Sequence, residues 1–77
     1  MVDAADEDIV HHEFPDSTRV TEAWWYRTEE RLVIRFPDQH RQQYLHVTEH
    51  IWTQFISAGS AGRYLHDELN QLPNSPL

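Results

Sequence analysis

The sequence contains no cysteine and no lysine. Without cysteine there are no disulfides, no thiolate zinc site and no cysteine nucleophile. Without lysine there is no Schiff base, no lysine general base and no P-loop lysine to hold a phosphate. Glycine is scarce, at two residues. No apolar run approaches the ~20 residues that span a bilayer, and no basic region followed by an apolar one opens the chain. These absences predict a cytoplasmic protein with no membrane partner.

What is present fits one small domain. The 77 residues are 39% apolar, with three Trp, three Tyr and three Phe. A chain this short buries only ~60% of its unfolded surface, so large rings must fill much of the core. Thirteen acids face six arginines, for a formal charge of −7. Nearly all of that excess lies in residues 1–16, which hold Asp3, Asp6, Glu7, Asp8, Glu13 and Asp16 and no arginine. Self-repulsion there predicts a disordered acidic tail over 1–16. The folded unit is expected over 17–72, with Pro73 ending it and a flexible C-terminus over 73–77.

Three segments of that unit read as strands. Arg19 to Arg27 is rich in β-branched and aromatic residues, and Arg31 to Phe36 alternates, with Leu32, Ile34 and Phe36 on one side. Gln42 to Val47 supplies the third, and the short connections predict an antiparallel meander. The period then changes. Thr48 suits an N-cap, and Ile51, Trp52, Phe55 and Ile56 recur at helical spacing. Gly59 is expected to end that helix, and Ser60 to cap a second one carrying Ala61, Tyr64, Leu65 and Leu69. The predicted fold is α+β: a three-stranded antiparallel β-meander followed by two short α-helices packed on one sheet face.

Catalytic chemistry finds little support. Ser60 has no neighbour in sequence that supplies both a base and an oxyanion hole, and capping accounts for it. His46 and His50 straddle a strand–helix junction, and His11-His12 lies in the acidic arm. Neither pair has a third ligand at diagnostic spacing. Glu29-Glu30 and Asp67-Glu68 lie at a turn and on a solvated helix face. No catalytic residue, metal site or cofactor is expected, and the protein is predicted not to be an enzyme.

The arginines carry more information. Five of the six fall between Arg19 and Arg41. If Leu32, Ile34 and Phe36 face the helices, Arg31 and Arg35 stand on the uncovered face, and Trp24 and Tyr26 join them once Trp25 points inward. Arginine interleaved with rings on an open sheet is how several single-strand RNA binders stack bases and hold phosphates. Trp24, Tyr26, Arg31, Arg35 and Tyr44 are the candidate nucleic-acid-binding residues. The structural alternative is a face kept soluble by cross-strand Arg–Glu pairs. Six acids tethered beside the arginines would also compete weakly with any anionic ligand for them.

Several stretches together resemble a known family. Ser17-Thr18-Arg19-Val20, Leu32-Val33-Ile34-Arg35-Phe36, Tyr44-Leu45-His46-Val47 and Ile51-Trp52-Thr53-Gln54-Phe55 occur in its order. The most specific stretch, Ala58 to Leu65, carries the signature residues Ser60, Gly62 and Tyr64. The chain is similar to the KTSC domain, named for its place at the C-terminus of some lysyl-tRNA synthetases and also found free-standing in bacteria and phages. Where that family has a tyrosine-x-tyrosine motif, this chain has Gln42-Gln43-Tyr44, and Pro37-Asp38-Gln39-His40 holds a turn where the family usually has glycine. The resemblance implies the α+β fold and a suggested role in RNA binding. The expectation is a small binding module for single-stranded RNA or an RNA-bound protein. The alternative is a protein-interaction module, an acidic and phage-type protein occupying a basic surface on a host factor.

Overall fold

The structure is a computed structural model that describes residues 8–77; residues 1–7 of the expected tail lie outside it. Five strands form one antiparallel sheet in sequential order. They are β1 (Ile9–Glu13), β2 (Glu22–Tyr26), β3 (Arg31–Arg35), β4 (Arg41–Tyr44) and β5 (Asn74–Pro76). Helix α1 (Glu49–Ser57), helix α2 (Ala61–Asp67) and a 3-10 turn (Leu69–Gln71) come between β4 and β5. No helix among the described residues is long and apolar enough to cross a membrane.

The expected three-stranded sheet is therefore corrected to five strands, one added at each edge. β1 comes from the acidic arm. Its five residues alternate, with Val10 and His12 turned inward and paired to Trp25 and Ala23. Apolar cover for those two side chains and a full ladder against β2 offset the local charge. β5 comes from the C-terminus, where Leu45 donates to the Pro73 carbonyl and Leu77 to the Arg41 carbonyl, so the chain returns along β4. A proline is tolerated there because an edge strand needs only one of its two hydrogen-bonding sides.

The central hairpins turn without glycine. Glu30, Gln39 and His46 take positive φ angles of 51°, 73° and 63°. Gln39 thus sits in the left-handed region that favours glycine, in the same turn where the related family usually has one. His46 breaks β4 two residues after Tyr44, which is why the third strand is shorter than the sequence suggests.

Both helices start as expected. The Thr48 hydroxyl accepts from the Ile51 amide at 3.3 Å and the Ser60 hydroxyl from the Arg63 amide at 3.2 Å. The end of α1 differs. Ala58 leaves the helix in an extended conformation, and Gly59 does not adopt the positive φ of a terminating glycine.

The core lies between the inner sheet face and the helices. Val20, Ala23, Leu32, Ile34, Val47, Phe55 and Leu69 are fully buried, with Trp25, Tyr44 and Trp52 nearly so. Trp25 stacks on Trp52 at 5.9 Å between centroids, and its indole N–H donates to the Val47 carbonyl at 2.8 Å. Phe14 and Tyr64 extend the ring cluster, each packed on Phe55. No charged or polar side chain is buried among the described residues.

Candidate functional site

Strand alternation sends every second residue to the face opposite the helices, and the register arranges these residues in rows. One row runs Glu13, Glu22, Arg35, Arg41; the next runs His11, Trp24, Val33, Gln43, Ser75; a third runs Ile9, Tyr26, Arg31. The structure therefore brings Trp24, Tyr26, Arg31 and Arg35 together on one open face. Tyr44 does not join them. It pairs with Leu32, sits at 2% exposure in the core, and burial pushes its phenol pKa up.

The side chains of the open face are locked to each other. The Arg35 guanidinium grips one Glu22 carboxylate oxygen through two of its nitrogens, with Nε at 2.8 Å. The other Glu22 oxygen meets His11 Nε2 at 2.7 Å. Hydrogen bonds from Arg35 first and His11 second hold the Glu22 carboxyl below its ordinary value. Arg35 also donates to the Gln39 side chain at 2.8 Å. Arg31 lies over the Tyr26 ring at 4.1 Å and bonds Glu29 at 3.2 Å. Trp24 is flanked from the β1 side by the His11 ring, 5.3 Å away and 28° from parallel, and from the β4 side by the Arg41 guanidinium at 5.5 Å. Val33, at the centre, is only 5% exposed although it lies outside the main core cluster, because the long side chains around it lean over the sheet.

His11, Glu22 and Arg41 belong to this site but were not among the sequence candidates. Glu22 lies two residues before Trp24 on β2, and strand parity alone would have placed it on the same face. His11 was hidden because β1 was not expected. The two adjacent arm histidines take opposite faces: His11 stacks on Trp24, while His12 packs inward against Phe14 at 4.6 Å.

The signature residues lie elsewhere and hold the fold together. Ser60 caps α2. The Tyr64 hydroxyl donates to the Gln54 side chain at 3.1 Å and ties α2 to α1. Gly62 is buried beneath the stem of Arg19, where an added Cβ would stand 2.6 Å from Arg19 Cδ. That contact joins the first quoted motif to the last, and both residues line a cleft of about 350 Å³ between the 12–19 segment and the α1–α2 junction.

Comparison with known proteins agrees with this architecture. The KTSC domain model matches residues 16–71. The crystal structure of a KTSC domain protein from Yersinia pestis is similar at a TM-score of 0.81 and 24% sequence identity, covering 90% of this chain and 97% of that one. At that identity the likeness speaks for the fold alone. No curated protein matches the chain. With the family model spanning β2 through the 3-10 turn, the chain belongs to the KTSC domain family.

Proposed function

We propose that the protein is a non-enzymatic, cytoplasmic binding module whose open sheet face takes single-stranded RNA, alone or in an RNA-bound protein assembly. The observation that carries this is the interleaving of rings and guanidinium groups on that face: Arg31 over Tyr26, and Arg41 over Trp24. Rings supply stacking platforms worth ~1–3 kcal/mol per base, and arginine forks suit phosphate oxygens. Similarity to a domain appended to some lysyl-tRNA synthetases supports the same partner class. The test is a salt series of anisotropy titrations with a labelled single-stranded RNA decamer. Binding should weaken with salt, and both Trp24→Ala and the pair Arg31→Ala with Arg35→Ala should remove it without unfolding the chain. Absence of binding even at low salt would overturn the RNA partner.

One observation favours a protein partner instead. Glu22 neutralises Arg35, which leaves the face closer to neutral than a phosphate chain prefers. Recovery of a single nuclease-resistant partner in a pull-down, lost in Trp24→Ala, would establish that alternative.

A further inference from the structure

The open face does not present Trp24 freely. Its ring is bracketed by His11 on one side and Arg41 on the other. His11 is the replaceable member of this stack. It stands on an edge strand, its side chain is 40% exposed, and a single hydrogen bond to Glu22 Oε1 holds it. The β1 backbone is fixed independently of it. Ladder pairing runs from Ile9 to Glu13, the Arg27 amide donates to the Asp8 carbonyl at 2.7 Å, and the Phe14 amide donates to the Thr21 carbonyl at 3.0 Å. A rotation of the His11 side chain would therefore uncover Trp24 while leaving the strand in place.

We infer that His11 is a built-in occupant of the base site, and that the ligand base which replaces it carries an exocyclic amino group. The imidazole does two things at once in this position: it stacks on the Trp24 face and it engages one carboxylate oxygen of Glu22. A stacked adenine does both, with its larger ring on Trp24 and its amino N–H donating to the same oxygen. Uracil has only a ring N3–H, set between two carbonyl oxygens that the carboxylate repels, and it stacks more weakly, so it replaces His11 less well. Arg35 keeps hold of the second Glu22 oxygen, which fixes the carboxylate for the incoming base. His11 thereby sets a threshold for binding, and Glu22 sets the base preference.

This rests on the RNA proposal above, and its test separates the two. Full-length protein and two variants, His11→Ala and His11→Phe, are titrated with adenylate and uridylate decamers at low salt, with melting curves as a fold control. His11→Ala should bind the adenylate decamer about 3- to 10-fold tighter than wild type, the scale of one aromatic contact, with a similar factor for uridylate because uncovering Trp24 costs the same for either base, and adenylate should stay the tighter ligand throughout. His11→Phe keeps a ring on Trp24 and should show no gain. Wild-type binding with no gain in His11→Ala, equal gains in both variants, or equal affinities of the two decamers for His11→Ala would overturn the inference while leaving the RNA proposal standing. No binding by any form would overturn both.

Discussion

The two faces of the sheet are built from alternate residues of the same strands, yet they are held by different physics. On the inner face, Trp25, Leu32, Ile34 and Tyr44 meet Trp52 and Phe55 with no charged side chain buried among them, and the exposed Arg27 guanidinium touches only the rim, 5.6 Å from the Trp25 ring centre. That face is stabilised by area removed from water and by close packing, so every lost atom is felt. On the open face, the same strands present Glu22, Trp24, Arg31 and Arg35, held by hydrogen bonds, ion pairs and ring contacts at the solvent boundary. Such contacts contribute little stability each and can be exchanged for those of a ligand. On the proposed reading, folding rests on the inner face and recognition on the open one.

The strongest way to break this division is to truncate a ring on each side. Phe55→Ala should cost ~3–5 kcal/mol in urea unfolding, close to the whole stability of a domain this small. Trp24→Ala should lose less than half as much. Equal losses would erase the distinction between the faces.

The next effect sharpens the boundary of the core. Gly62→Ala should cost about 1–3 kcal/mol, because the new methyl group meets the Arg19 stem. Adding Arg19→Ala should recover most of that loss in a double-mutant cycle. A cycle with no coupling would place the strain elsewhere.

How far the sequence disclosed this arrangement depends on which force shaped each element. The alternation of Arg31 to Arg35 and the helical spacing of Ile51, Trp52 and Phe55 are read directly, because a single buried face imposes its period on the residues. Thr48 and Ser60 were legible as caps because the hydroxyl acts locally. The edge strands were not legible. In β1 the acids mask a five-residue alternation, and β5 is three residues long and contains a proline. Tyr44, a binding candidate in the sequence, turns into the core because it pairs with Leu32, a register set by the turn at Gln39 and not by the strand itself. The open-face group of Trp24, Tyr26, Arg31 and Arg35 followed from parity. The His11–Glu22–Arg35 connection needed β1.

Smaller effects belong to the open face. Arg31→Ala combined with Arg35→Ala should cost about 1 kcal/mol in stability, since both ion pairs border solvent. A loss as large as that of Phe55→Ala would mean that the face is structural. The smallest effect is in acid. The folded pKa of Glu22 lies below its unfolded value, so its contribution is complete above the ordinary value of 4.5 and fades as the pH falls through the lowered folded value. Melting curves of wild type and Glu22→Gln should therefore differ at pH 7 and converge in acid, once the pH is below the lowered folded value. A difference that persists unchanged in acid would remove the charge from the explanation.

The division of labour is tested most directly by the three indole N–H signals in a proton–nitrogen NMR spectrum, followed as single-stranded RNA is added. Trp24 lies on the open face, while Trp25 and Trp52 are stacked in the core, with the Trp25 N–H bonded to the Val47 carbonyl. The Trp24 signal should shift with saturating dose while the Trp25 and Trp52 signals stay in place. Movement of the two core signals with Trp24 unchanged would contradict the account.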